Sequence, residues 1–115
     1  MAHSQFLQDK ALMYNTHLSD ESSQVSICRL VLKDLEDWIK EVGHDEVIAA
    51  IDFLLDELLA VLQELHTMNN PGMFTYCQEA YNWAYGAGQK YDDGEYREAS
   101  AHISGCQKSL HKAIK

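Results

Sequence analysis

Two pairs of side chains in this sequence have the spacing of metal ligands. Glu41 and His44 form the Glu-x-x-His pattern of di-iron helical proteins, but such a centre needs a second pair and two further glutamates. Gly43 is also expected to end the helix that contains Glu41, so Glu41 and His44 would not share a helical face. His102 and Cys106 stand four residues apart, which suits zinc, but Cys106 belongs to an apolar stripe. Both pairs are therefore interpreted as structural, and no metal or other cofactor is predicted.

Other motifs for catalysis or ligand binding are incomplete. Gly86-Ala87-Gly88 has neither the preceding strand nor the Lys-Ser/Thr pair of a phosphate loop. Asp92-Asp93-Gly94 lacks the alternating ligands and the terminal glutamate of an EF-hand, and is interpreted as a solvated turn. No serine lies in a Gly-x-Ser-x-Gly elbow. The sequence therefore contains no candidate catalytic constellation, and we predict that the protein is not an enzyme.

The cysteine content points to a reducing compartment. The sequence has three cysteines, which cannot all pair with one another and are far apart in sequence: Cys28, Cys77 and Cys106. They are expected to be buried thiols. The N-terminus has neither the basic start nor the apolar core of a signal peptide, and no apolar run approaches the roughly 20 residues of a bilayer span. A cytoplasmic location is the expectation.

Negative charge is concentrated in the first 70 of the 115 residues. That part holds 13 Asp and Glu against 4 Lys and Arg, whereas residues 71–115 hold five of each, and the whole chain carries −9. Such a surface repels nucleic-acid backbones and anionic membranes, so neither is an expected partner. It favours encounter with a basic protein, because complementary fields accelerate association. The alternative is that the charge serves solubility alone.

The acidic candidates for partner binding follow two stripes on the first two long predicted helices. The first stripe consists of Asp34, Asp37 and Glu41, and the second of Asp45, Asp52 and Asp56. Both stripes are interpreted as unpaired, with a solvated helix face as the alternative. A neighbouring row of mixed sign is expected to be ordinary surface with weak ion pairs. Its members are Arg29, Lys33, Glu36 and Lys40.

Three aromatic residues in the second half of the chain are further candidates. Tyr76, Trp83 and Tyr85 cannot all point to the face that carries Cys77 and Ala80, so some of them are expected to be exposed. Exposed Trp and Tyr side chains often anchor protein interfaces. The alternative is that these rings pack on the N-terminal segment or on a second core stripe.

Helical periodicity runs through the chain and predicts an all-α fold in a single domain, residues 1–115. Four helices in two antiparallel hairpins are expected, over residues 22–42, 45–68, 73–91 and 96–113, with 6–18 as a candidate fifth. Gly43, the run from Asn69 to Gly72 and Asp92-Asp93-Gly94 are the predicted breaks. Asp45 is expected to cap the second helix, whose apolar residues cover more than half its circumference. Tyr91 and Tyr96 are placed on the inward faces.

Residues 80–111 resemble a single tetratricopeptide repeat, a helical hairpin with small and aromatic residues at fixed offsets. Trp83, Ala87, Gly94, Tyr96 and Ala99 stand at those offsets. A solenoid needs at least three stacked units, so the resemblance is to a hairpin within a small bundle. It implies binding of a peptide or protein rather than catalysis.

Three hypotheses about function follow. The first is a non-enzymatic acidic module that binds another protein, in one version an inhibitor or immunity-type factor that masks a basic, nucleic-acid-binding surface. The second is a self-associating structural or chaperone-like bundle, such as a homodimer, because the helix over 45–68 is apolar on two sides. The third is a small metal-binding or redox protein that uses His102 and Cys106.

Overall fold

The computed structural model describes residues 3–115, and these residues form six α-helices and no strand. The helices are α1 (Gln5–Met13), α2 (Glu21–Val42), α3 (His44–Ala49), α4 (Ile51–His66), α5 (Pro71–Asp92) and α6 (Tyr96–Ala113). They share one hydrophobic core, to which every helix contributes. The predicted all-α class is confirmed. The predicted bundle of four or five helices is not, because the described residues contain six.

Local chemistry accounts for both ends of α2 and for the start of α5. Asp20 caps α2 by accepting a hydrogen bond from the Ser23 amide, and the Ser23 side chain completes a capping box. Gly43 ends α2 with φ of 86°, a left-handed conformation that favours glycine. Asn70 accepts from the Met73 amide and Pro71 is the first residue of α5. These predicted breaks are confirmed.

The predicted continuous helix over residues 45–68 is wrong, because Ala50 divides it into α3 and α4. Ala50 has φ of −109° and ψ of 30°, outside the helical values. The change of direction lets α3 contact α6 while α4 packs against α2 and α5. The predicted cap at Asp45 is also wrong, since α3 begins one residue earlier and no side chain caps it.

The last two helices, α5 and α6, form the closest helix pair of the molecule. They run in opposite directions, since Trp83 faces Gly105 and Gly86 faces His102. Glycine is required at these contacts because an added Cβ would lie 2.5 Å from the Trp83 ring at Gly105 and 2.7 Å from the His102 ring at Gly86. The two glycines therefore set the separation of α5 and α6.

Three buried thiols occupy the core of this fold. Cys28, Cys77 and Cys106 come from α2, α5 and α6, and each is 0% exposed. Burial raises the pKa of all three to about 12, and for Cys77 the neighbouring Cys28 and Cys106 add to the effect. The thiols therefore stay protonated and shielded, as predicted for structural cysteines.

Two aromatic residues predicted to face inward are instead on the surface. Tyr91 and Tyr96 are exposed, at the two ends of the turn between α5 and α6. Their rings contact each other with centroids 5.0 Å apart. Their positions continue the periodicity of the helices, but they lie where α5 ends and α6 begins, and the described residues leave both rings exposed.

Candidate functional site

A groove with a volume of about 300 Å³ opens beside the end of α1, between α2 and α4. We call it the α2–α4 groove. Nine residues line it, namely Lys10, Met13, Tyr14, Val31, Asp34, Leu35, Trp38, Phe53 and Glu57. Helix α1 is only nine residues long and buries Leu7 and Ala11. It ends at Met13, so the groove beyond that residue is left open.

Polar contacts from α1 to both neighbouring helices hold the wall of the groove in place. Lys10 forms an ion pair with Glu57 of α4 at 3.0 Å. The Tyr14 hydroxyl donates to Asp34 of α2 at 2.6 Å, and the Ser4 hydroxyl donates to Glu64 of α4 at 2.9 Å. Each contact ends on a carboxylate, so α1 is bound to its neighbours through their acidic side chains.

The apolar part of the groove is open to solvent. Met13 is 58% exposed and Phe53 is 51% exposed, and the Phe53 ring meets Trp38 edge to face with centroids 5.4 Å apart. Leu12, next to Met13 on the outside of α1, is 82% exposed. Large apolar side chains that cluster at the surface are typical of interaction sites. The α2–α4 groove is therefore a place where an apolar side chain of another molecule would be buried.

The groove combines this apolar surface with carboxylates. Asp34 and Glu57 lie in its walls and Lys10 is the one base among its lining residues. Burial raises the pKa of the Tyr14 hydroxyl, and the hydrogen bond to Asp34 and the negative charges of Asp34 and Glu57 raise it further. Tyr14 is therefore a permanent donor to Asp34 at neutral pH.

The structure separates the six predicted acidic residues into three groups. Asp34 lines the groove and is hydrogen-bonded to Tyr14. Asp37 is paired with Lys33 at 3.0 Å, so the interpretation of its stripe as unpaired is wrong at this position. The other four are exposed and form no ion pair with any residue in 3–115: Glu41, Asp45, Asp52 and Asp56. We call these four the open acids.

The predicted aromatic residues lie on α5 and do not line the groove. Trp83 and Tyr85 are exposed, as predicted for part of this set. Tyr76 is half-buried, with the Lys112 ammonium 5.8 Å from its ring centroid. Trp83 packs edge-on against His102 and Tyr85 stacks on Tyr81. The structure therefore does not join these rings with the acidic residues into one site.

Glu36 is the largest departure from the expected surface. Predicted to lie in an ordinary exposed row, it is 2% exposed, because α6 packs on that side of α2. Its carboxylate contacts Lys33 at 3.2 Å, Lys40 at 3.6 Å and His111 at 3.0 Å. Burial alone would raise the pKa of Glu36, but hydrogen bonds from Lys33 and His111, with the charge of Lys40, bring it below its usual value.

The lowered pKa of Glu36 predicts a specific pH dependence of stability. A carboxyl whose pKa is lower in the folded state stabilises it above its ordinary pKa of 4.5, and this contribution disappears as the pH falls through the folded-state value. Urea unfolding of the wild type and of Glu36→Gln between pH 6 and pH 3 measures this contribution to stability. The charged and titratable groups that face Glu36 are Lys33, Lys40 and His111. The difference in unfolding free energy is expected to be largest near pH 6 and to shrink below 4.5. A difference that grows as the pH falls would contradict this.

The structure brings neither pair with metal-ligand spacing together with a third His, Cys, Asp or Glu side chain of residues 3–115. Glu41 is exposed on α2, whereas His44 begins α3 and is hydrogen-bonded to Ser100 at 2.7 Å and Gln107 at 2.9 Å. His102 donates from Nδ1 to the Glu98 carbonyl, and Cys106 lies in the core. Within residues 3–115, no three His, Cys, Asp or Glu side chains converge on a point that could hold a metal ion.

Sequence reasoning missed the contributions of Lys10, Tyr14 and Phe53 to the groove. The first segment was predicted only as a candidate helix over 6–18, and the helix found there, Gln5–Met13, buries Leu7 and Ala11. No local signal fixes where a short helix lies on its neighbours, however. The polar contacts that place α1 join residues 20 to 60 positions apart.

Comparisons with protein families, with curated proteins and with solved structures found no match to this chain. Among the described helices, none combines the length and the apolar character needed to cross a bilayer.

Proposed function

We propose that this protein is a non-enzymatic binding module whose α2–α4 groove receives a basic, amphipathic segment of a partner protein. The observation that carries the proposal is the meeting of exposed apolar side chains with carboxylates in one groove, flanked by helices that bear the open acids. An apolar residue of the partner would fill the space beside Met13 and Phe53. Lysine or arginine residues of the partner would face the acidic side chains.

The contacts of α1 illustrate how such a segment would bind. Leu7 and Ala11, four residues apart, are buried, while Lys10 reaches Glu57 at 3.0 Å. An amphipathic helix with an apolar stripe and a lysine beside it thus already packs across α2 and α4 within the chain. A partner helix of the same character would use the open length of the groove beyond Met13.

A specific version of the proposal is an inhibitor or immunity-type factor. The partner would then carry its basic surface for binding nucleic acid, and this chain would mask it. The formal charge of −9, confined to the first 70 residues, supports this version because it accelerates encounter with a basic surface. The resemblance of residues 80–111 to a tetratricopeptide-like hairpin, which implies protein binding, is consistent with it.

An unbiased selection of 20-residue peptides from a display library would test the proposal. The chain has two tryptophans, and Trp83→Phe leaves Trp38 as the only one, so its emission reports on the groove. Selected peptides are expected to be enriched in Lys, Arg and large apolar residues, and to shift the emission of Trp38. Met13→Arg should weaken their binding by about tenfold or more, because it places a cation in the groove.

Leu59→Arg is the matched control for that variant. Leu59 is an exposed aliphatic residue of α4 that does not line the groove, so its replacement adds the same charge elsewhere. Selection of neutral or acidic peptides would contradict the proposal. If Met13→Arg and Leu59→Arg weakened peptide binding equally, the α2–α4 groove would not be the binding site.

The two other hypotheses have less support. Two apolar residues of α4, Leu55 and Leu62, are half-buried against the core of the same chain, and α4 packs on both α2 and α5. Self-association therefore stays a prediction without an added observation. The metal or redox hypothesis depends on His102 and Cys106, and the buried, protonated Cys106 thiol does not favour it.

A further inference from the structure

A second cavity, of about 490 Å³, lies between α2 and α6 and is distinct from the α2–α4 groove. Its lining residues are Glu36, Lys40, Ser104, Gln107, Lys108, His111, Lys112 and Lys115. Four of the nine Lys and Arg residues of the chain thus meet here, with Glu36 as the one acid among the lining residues. In a chain with 18 Asp and Glu, this is a marked local excess of positive charge.

The single carboxylate in this cavity is already compensated. Glu36 is 2% exposed, and its oxygens contact Lys33, Lys40 and His111. Its negative charge is therefore shared among three cationic or donor groups at the back of the cavity. Lys108, Lys112 and Lys115 are exposed and form no ion pair with any residue of the described chain, and the Lys112 ammonium also lies 5.8 Å from the centroid of the Tyr76 ring.

Hydrogen bonds to residues of the same chain hold two of the lining side chains, Gln107 and His111, in position. The carbonyl oxygen of Gln107 accepts from His44 Nε2 at 2.9 Å, which leaves the Gln107 amide nitrogen free to donate. His111 donates from Nδ1 to Glu36 at 3.0 Å, which fixes the orientation of its ring at the cavity wall. The half-buried His44 and the buried Glu36 thus fix the orientation of one amide and one imidazole at the cavity wall.

We propose that this cavity binds a small anion with adjacent phosphate groups, such as pyrophosphate or the phosphate chain of a nucleotide. Its lysines supply point charges for phosphate oxygens, and the Gln107 amide nitrogen and the Ser104 hydroxyl supply neutral hydrogen-bond donors. Its volume lies within the usual range of ligand pockets, about 300 to 1,000 Å³. The proposal is independent of the α2–α4 groove.

The charge of the whole chain favours a small anion over a nucleic acid. A long phosphate backbone would extend past the cavity and meet the acids of the first 70 residues, whereas a compact anion interacts with the lysines alone. The carbonyl end of α6 carries about half a negative charge, which disfavours an anion. The positive charge of the four lysines that line the cavity is larger than this. The net local field is therefore positive.

Calorimetric titration with sodium pyrophosphate, orthophosphate and acetate tests the proposal. Pyrophosphate is expected to bind at least about tenfold more tightly than orthophosphate, because it spans more of the lysines, and acetate should not bind measurably. The imidazole resonances of His111 should shift on pyrophosphate addition. Those of His17, which is exposed and does not line the cavity, should not shift.

Two double variants with equal charge separate a site from general attraction. Lys108→Gln with Lys112→Gln should weaken pyrophosphate binding by about tenfold or more. Lys90→Gln with Arg97→Gln removes the same charge outside the cavity and should leave binding within about twofold. Equal losses in the two double variants, or no pyrophosphate binding by the wild type, would overturn the proposal.

Discussion

Replacement of the four open acids by lysine is expected to weaken binding of a selected basic peptide by roughly 10- to 1,000-fold at low ionic strength. An exposed ion pair at the weaker end of the usual range contributes about 0.2 to 0.5 kcal/mol, and reversal replaces each attraction by a repulsion of similar size, so four sites give about 1.6 to 4 kcal/mol. The variant combines Glu41→Lys, Asp45→Lys, Asp52→Lys and Asp56→Lys. All four side chains are exposed and lack ion pairs with described residues, so the cost to the fold is limited to about 0.3 to 1 kcal/mol each at Asp45 and Asp52, which lie in the first turns of α3 and α4.

A second fourfold variant controls for net charge. Replacing four exposed acids of α5, α6 and their turn by lysine gives the same formal charge without altering α2, α3 or α4. These residues are Glu79, Asp92, Asp93 and Glu98. Peptide affinity, measured by fluorescence titration of Trp38, should fall much less in this control. Similar losses in both variants would show that the overall charge, and not the four open acids of α2, α3 and α4, attracts the peptide.

Gly105→Ala is expected to destabilise the fold by about 1 to 3 kcal/mol, the usual range for overpacking. The new methyl group would lie 2.5 Å from the Trp83 ring, far inside contact distance. Alanine in a helix would otherwise gain about 1 kcal/mol over glycine, so a net loss shows that the contact is tight. Trp83 can relieve the overlap only by moving away from α6, which would also disturb its edge contact with His102.

Gly72→Ala provides the matched comparison for this variant. Gly72 is also helical, in the first turn of α5, and an added Cβ there has nothing within 4 Å. It should therefore leave stability unchanged or raise it slightly, by up to about 1 kcal/mol. Thermal and urea unfolding of both variants measures the difference. In a Trp83→Ala background, Gly105→Ala should no longer destabilise the fold, whereas equal stabilities of the two glycine variants would disprove the close packing of α5 and α6.

Local chemistry explains which parts of the fold the sequence predicts. Gly43 and the run from Asn69 to Gly72 end helices through conformational preferences that operate within a few residues, so these breaks are visible in the sequence. The break at Ala50 is not, because alanine favours helix and one non-helical residue does not disturb the apolar periodicity. It is the packing of α3 on α6 and of α4 on α5 that requires the change of direction.

The candidate site was predictable only in part for the same reason. The excess of acids and the exposure of Glu41 and Asp52 follow from composition and helical spacing. That Asp34 meets Tyr14, and that Glu36 meets His111, depends on how separate helices pack. A mixed row of charges on one helix gives no indication of which member another helix will cover.

The salt dependence of peptide binding tests the central claim most directly. The claim is that carboxylates in and around the α2–α4 groove attract a basic partner. Affinity of the wild type for a selected peptide should fall by about tenfold or more between roughly 50 and 500 mM sodium chloride, because added salt screens exposed charges. If the variant with the four open acids replaced by lysine no longer shows this salt dependence, these four acids are its source. An affinity that is constant over this range would contradict the account.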